Sequence, residues 1–348
     1  EVDRHRQGRR VTLVLTVDDL GHALEGIHDL LLGDHTVDQP VAQQLGGDAQ
    51  SGAVLHEVDI VDVRHLGAAD TLLDPPDDIT QEIEIKEQDL LKAGTIRFII
   101  TVGEEIGMYG SKQMTEEGYV DDADAIIVGE PKMGNGKIVT AHKGSVQYEI
   151  VSYGRSAHSS MPELGINSIQ QIVDFIPVAN EKIAEAAGKG ENEKLGRMLN
   201  AFTVIDGGDQ INSIPAITKL KGNGRTVPEV DNEMFLDALN ASIDEINNQI
   251  EGRLELNIMQ NNPAVESDFD TDLIQSFRNV ANVEIEPVGM PGATDASNFG
   301  RIEKDFDLAI YGPGVMEVAH QVDEYVEIED YLNFIDLYQK VAQDYLNN

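Results

Sequence analysis

Thr95-Ile96-Arg97-Phe98-Ile99-Ile100-Thr101-Val102-Gly103-Glu104-Glu105 reads as one apolar strand that runs through a glycine onto two adjacent carboxylates. A near-continuous apolar run of this length suits a strand buried on both faces of a parallel sheet. The same grammar recurs at Ala125-Ile126-Ile127-Val128-Gly129-Glu130-Pro131. Open α/β sheets gather their binding groups at the carboxyl ends of strands, so two acidic signals at such ends point to a site.

The pattern changes on the C-terminal side. Ser145–Tyr153 alternates apolar and polar residues as a half-exposed strand does, and Leu164–Ala187 has the period of a long helix closed by Gly188. Strands at Leu199–Ile205 and Ala216–Arg225, a helix at Val230–Ile250 and a strand at Arg253–Met259 follow. That order, β-α-β-β-α-β, is a split βαβ unit with helices on an antiparallel sheet. After Asn261-Asn262-Pro263 the first pattern resumes, with helices at Thr271–Val280 and Asp295–Ile302, a strand at Asp307–Tyr311 and a helix at Ile328–Tyr345. The expectation is therefore an α/β domain over 80–143 and 262–348, interrupted by an α+β, ferredoxin-like domain over 144–261.

On the N-terminal side a helix at Gln81–Lys92 precedes the opening strand. Residues 1–79 stand apart: the first 80 residues contain no Lys, Asn, Phe, Tyr or Met, yet hold six of the nine His. Val11–Val17 reads as a strand and Ala23–Leu32 as a short helix, and Leu73-Asp74-Pro75-Pro76-Asp77-Asp78 marks a boundary. Two readings stay open, a small domain or tail of biased composition and translation from an aberrant reading frame.

The net charge of −38, from 63 acidic and 25 basic residues, is unsuited to nucleic acid and anionic lipid. No apolar run reaches the length of a bilayer span, and the chain's first residues lack the apolar stretch of a secretory signal. With no cysteine there is neither a disulfide framework nor a thiolate metal site. A cytoplasmic location is expected.

Several residues invite chemistry. In Glu104-Glu105 one carboxylate is suited to ligate a divalent ion while its neighbour handles a proton; in so acidic a chain the pair also reads as solvated surface. Glu130 projects from a backbone constrained by Gly129 and Pro131. His320, beyond the strand at 307–311, offers the imidazole nitrogen that zinc favours. His158 lies among small polar residues and is suited to hydrogen-bond an oxyanion. Arg225 ends a strand and is suited to clamp a carboxylate, with Asn212 in the same domain. Thr294 and Asp295 open a helix in Gly292-Ala293-Thr294-Asp295-Ala296, where an anion or an ordinary N-cap fits equally.

In chain order, Thr101-Val102-Gly103-Glu104-Glu105, Ile127-Val128-Gly129-Glu130-Pro131, His142-Lys143-Gly144-Ser145, Ala157-His158-Ser159-Ser160-Met161-Pro162, Asn212-Ser213-Ile214-Pro215, Arg225-Thr226-Val227-Pro228, Gly292-Ala293-Thr294-Asp295-Ala296 and Ala319-His320-Gln321-Val322-Asp323-Glu324-Tyr325 form a set. This set resembles the zinc-dependent deacylase and peptidase family of acetylornithine deacetylase and succinyl-diaminopimelate desuccinylase, over residues 80–348. The resemblance implies a catalytic domain interrupted by a dimerising lid, and removal of a succinyl or acetyl group from a small N-acyl amino acid. It implies two Zn2+ ions per subunit, with Co2+ as a substitute, and a homodimer. Glu104 would be the general base, Glu105 and His320 ligands of one metal, and Glu130 a ligand of the other. His158 would reach the partner's site, and Arg225, Asn212 and Thr294 would bind substrate. A small-peptide metallopeptidase of the same fold is the alternative activity.

The chain departs from the pattern before residue 80. The family's His-x-Asp strand end and Asp-Met-Lys segment, which carry the remaining metal ligands, have no counterpart there. His35 and Asp70 stand at roughly the right distance before Glu104 in unlike surroundings. An inactive chain lacking these ligands is the third reading.

Overall fold

The computed structural model describes residues 9–17, 61–62 and 94–348. The helices expected at Ala23–Leu32 and Gln81–Lys92, together with His35 and Asp70, lie outside the described residues. The chain divides into two compact units. The first holds the described residues up to Thr140, with Ser267–Val288 and Thr294–Asn348, and the second holds Ala141–Glu266 and Gly289–Ala293.

The first unit begins with β1 (Arg10–Val17), β2 (Val61–Asp62), β3 (Thr95–Val102), α1 (Tyr109–Glu116), β4 (Ala125–Lys132) and the greater part of β5 (Lys137–His142), whose last two residues belong to the second. The second unit contributes β6 (Ser145–Tyr153), β7 (Ala157–His158), α2 (Ser168–Ala187), β8 (Leu199–Gly207), β9 (Ser213–Ile214), β10 (Ile217–Arg225), α3 (Asn232–Asn247), β11 (Arg253–Asn262) and β12 (Val265–Glu266). The chain then continues through α4 (Asp272–Val280), β13 (Glu286–Met290), α5 (Ala296–Phe299), β14 (Asp307–Val315) and α6 (Ile328–Asn347).

In the first unit the sheet order is β5-β14-β4-β1-β3-β2, with β13 also on β5. Strands β14, β4, β1 and β3 run parallel. The strand expected at Val11–Val17 starts at Arg10 and lies between β3 and β4. The segment's lack of large aromatics does not exclude it from the core. Val11, Leu13 and Val14 fill a crowded central position, while Phe277, Tyr311, Phe334, Tyr338 and Tyr345 supply the bulk from elsewhere. Strand β3 is less uniformly apolar in its role than in its letters. Arg97 is buried and pairs with Asp122 at 2.8 Å, and Arg10 of β1 pairs with the same carboxylate.

The second unit's four long strands form an antiparallel sheet in the order β11-β6-β10-β8. Its long elements follow the expected β-α-β-β-α-β order. Tyr148 and Ile150 of β6, Ile172 and Phe175 of α2, and Phe235 and Leu239 of α3 share one core. Each such fully buried side chain stabilises by about 1.5–3 kcal/mol. Helix α2 starts at Ser168 rather than Leu164 because the Asn167 side chain accepts the N–H groups of Ile169 and Gln170, leaving Pro162–Leu164 as a separate 3₁₀ turn.

Strand β14 outruns its expected end. Gly312-Pro313-Gly314 reads as a breaker, yet the strand continues to Val315 with register shifts on both sides of Gly312. A Cβ on Gly312 would lie 2.5 Å from the carbonyl carbon and oxygen of Gly129. The missing side chain is what lets β14 close against β4 beside Glu130.

Candidate active site

The parallel strands of the first unit end where the expected acidic groups begin. After β3 the backbone turns through Gly103 at φ +74°, Gly107 at φ +136° and Met108 at φ 56°. The Met108 N–H closes the turn onto the carbonyls of Gly103 at 2.8 Å and Glu104 at 3.0 Å. Left-handed backbone at a non-glycine residue costs about 1–3 kcal/mol and persists only where the surroundings over-determine it. From this turn Glu105 reaches His320, with Oε1 2.7 Å from Nε2. His320 is itself left-handed at φ 60°, and its N–H donates to Glu324 Oε2 at 3.0 Å.

Glu130 stands near the end of β4, half-buried, with Oε1 sheltered from solvent. Two residues on, the Lys132 ammonium pairs with Asp330 of α6, which also accepts the Gly314 N–H at 2.9 Å. One carboxylate thereby gathers β4, the end of β14 and the start of α6. Burial raises the Tyr338 pKa, and the neighbouring charges of Tyr311 and Glu130 raise it further.

The donor chemistry of Glu105 and His320 suits a divalent ion, since a carboxylate oxygen and an imidazole nitrogen already face each other. The described residues do not complete a shell. Among them no group of three His, Asp or Glu side chains is arranged to hold a metal, so Glu130 does not join the pair in a three-donor cluster.

His158, Asn212 and Arg225 belong to the second unit. His158 is exposed on β7, with Nδ1 2.8 Å from Ser160 Oγ. The paired strands β7 and β9 bring Asn212 beside it, and the Ser159 N–H donates to the Asn212 carbonyl at 2.9 Å. Arg225 ends β10 half-buried, and burial lowers its pKa. Its charge acts on two residues to which sequence reasoning gave no role. Burial chiefly, and Arg225 secondarily, lowers the pKa of Lys143. His142 is driven down to about 4, by burial first. Their place in the His142-Lys143-Gly144-Ser145 stretch was the only signal available. Thr294, in the first unit, is buried, and its hydroxyl accepts the Ala296 N–H at 3.2 Å.

The family model for Peptidase family M20/M25/M40 matches residues 83–344. The chain belongs to this family. As an M20 member it is a hydrolase. A probable succinyl-diaminopimelate desuccinylase from Staphylococcus aureus is 37% identical over 292 residues, which cover 76% of this chain and 70% of that relative. Acetylornithine deacetylase of Buchnera aphidicola is 28% identical over 261 residues, covering 73% and 64%. Among solved structures, aminopeptidase PepT from Bacillus cereus matches 99% of this chain and 82% of its own length, with a TM-score of 0.61 at 16% identity. The Bacillus subtilis YXEP protein, described as a dinuclear metal binding peptidase of the M20 family, covers 99% and 83% with a TM-score of 0.59 at 15% identity. These two likenesses concern the fold alone. No helix among the described residues is long and apolar enough to cross a membrane.

Proposed function

We propose that this M20 member is a metal-dependent amidohydrolase that cleaves the amide bond of an N-acyl amino acid, with a succinyl group as the first choice and acetyl as the second. The carrying observation is the 2.7 Å approach of Glu105 and His320, residues distant in sequence, at the strand ends of the first unit. The 37% identity to a probable desuccinylase supports the acyl group.

In this reading a water attacks the acyl carbonyl. Glu104 accepts the water's proton and passes it to the departing amine, so the C–N bond breaks as the carboxylate product forms. Glu105 and His320 would hold one divalent ion, zinc or cobalt, and Glu130 the other. A bound ion supplies Lewis acidity, which eases deprotonation of the water and polarises the carbonyl. His158 is assigned to hydrogen-bond the developing oxyanion. Arg225 and Asn212 are assigned to the substrate carboxylate, and Thr294 to positioning near it. Cytoplasmic residence without nucleic-acid or membrane partners belongs to the same proposal, supported by the net charge of −38.

The test is a metal analysis joined to a substrate panel. About two zinc ions per subunit are expected, with hydrolysis of N-succinyl-diaminopimelate ahead of N-acetylornithine and of dipeptides, lost on chelation and restored by zinc or cobalt. Faster cleavage of dipeptides would favour the peptidase reading. Folded protein that takes up no metal at micromolar zinc and cleaves nothing would end the proposal in favour of an inactive chain.

We further propose a homodimer through the second unit. Strand β8 is the edge of its sheet and exposes Leu199, Val204 and Ile205 at 59%, 50% and 56%. An edge of this kind is an available surface for a second copy. Sedimentation velocity should give a dimer that Val204→Glu shifts toward monomer; a monomeric wild type at micromolar concentration would remove this part of the proposal.

A further inference from the structure

We infer that Asp295 is a positioning residue for the Glu104-Glu105 turn, tying the strand before the turn to the helix after it. The inference rests on the reading of that turn as the catalytic one.

Asp295 precedes α5, where an N-cap would be expected, but it does not act as one. Its backbone is right-handed helical, and its side chain makes no capping hydrogen bond. The carboxylate instead turns inward and is completely buried. Oδ2 accepts the hydroxyl of Thr101, two residues before Gly103, and Oδ1 accepts the hydroxyl of Ser111 in the first turns of α1 at 2.5 Å. Thr101 and Ser111 are buried as well. One carboxylate therefore grips both sides of the turn that carries Glu104 and Glu105.

Asn298, one turn along the same segment, completes the clamp. Its Nδ2 donates to Ser111 Oγ at 2.9 Å and to the carbonyl of Met108 at 3.1 Å. Met108 is the residue whose left-handed backbone closes the turn. A buried carboxylate is costly unless hydrogen-bonded, and its bonds to donors are stronger than neutral ones. Such a group is suited to over-determine a strained turn.

The experiment compares wild type with Asp295→Asn, Thr101→Val and Ser111→Ala in the full chain. It measures kcat and KM on the best N-acyl substrate, and amide hydrogen exchange at Gly107 and Met108. Asp295→Asn is expected to lower kcat by about 100-fold, the scale of a small misplacement of reacting groups. KM should change by less than about two-fold, and exchange at the two amides should accelerate by about ten-fold. Thr101→Val and Ser111→Ala should shift both readouts in the same direction by less. A folded Asp295→Asn with unchanged exchange and kcat within about three-fold of wild type would overturn the inference. If that variant does not fold, the two hydroxyl variants decide by the same criteria. If the wild type cleaves no N-acyl substrate, the proposed function fails separately, and unchanged protection of Gly107 and Met108 in the variants would still overturn the clamp.

Discussion

Glu104→Gln is expected to lower kcat by about 1,000-fold while leaving KM and the unfolding midpoint close to wild type. The substitution is isosteric and leaves the backbone alone, so the Glu104 carbonyl still receives the N–H groups of Gly107 and Met108 at 3.2 Å and 3.0 Å. What it removes is a carboxylate able to accept a proton. The neighbouring carboxylate is a poor substitute, because Glu105 Oε1 is engaged with His320 Nε2 at 2.7 Å. The two glutamates should separate by phenotype. Glu105→Gln should weaken zinc binding, which Glu104→Gln should leave intact. Neither should cost much stability, since the Glu105–His320 pair is 46% and 70% exposed, and exposed pairs contribute only about 0–1 kcal/mol. Retention of kcat within about three-fold in a metal-loaded Glu104→Gln enzyme would show that proton transfer is handled elsewhere.

The second large effect concerns stability against pH and belongs to His142. The ring is wholly buried and its Nδ1–H donates to the Lys143 carbonyl at 2.9 Å. That bond makes Nε2 the unprotonated nitrogen, and among the described residues it has no hydrogen-bond partner. Protonating it would place a second cation in a buried site that already feels the Arg225 guanidinium. Burial, with a smaller push from Arg225, lowers the pKa from 6.5 to about 4, partly opposed by the bond to Lys143. The folded pKa lies below the unfolded one, so between pH 6.5 and about 4 the unfolded chain binds the extra proton. Stability is therefore full above pH 6.5 and falls as the pH drops through this window, by about 3 kcal/mol at about 1.4 kcal/mol per pH unit. Many carboxylates titrate at the lower end of the same range, so the comparison must be with His142→Asn, whose amide nitrogen stands where Nδ1 does, keeps a donor for Lys143 and does not titrate. Urea midpoints from pH 7.5 to pH 4 should show wild type losing about 3 kcal/mol relative to the variant. A constant difference across the range would mean that the folded ring binds its proton at the same pH as the unfolded one, as a solvated ring does.

The legible parts of the fold are those where burial follows a local rhythm. Strands β3 and β4 announced themselves as apolar runs ending on glycine and glutamate, and the second unit's six long elements follow the alternating and helical periods of their letters. Two strands and one helix carry ambiguous local chemistry. Strand β5 is only six residues long, and β14 passes through Gly312-Pro313-Gly314, which stops most strands. There the close approach to Gly129 makes glycine a requirement of continued pairing rather than a signal to end it. Helix α5 is four residues instead of the expected longer run, ending before Gly300.

Legible in the letters alone are an α/β unit interrupted by a β-α-β-β-α-β unit, and the places of Glu104, Glu105, Glu130 and His320 at or after strand ends of the first. Periodicity and turn residues carry that much, because each reports the environment of a few neighbouring positions. The meeting of Glu105 with His320, the entry of β1 into the middle of the sheet from a compositionally odd segment, and the bonds from Thr101 and Ser111 to Asp295 across 194 and 184 residues arise in the folded chain alone. Those contacts depend on which strands become neighbours. Long-range hydrogen bonds between buried polar groups leave no local pattern, since the cost of burying each group is offset by a partner far away in the chain.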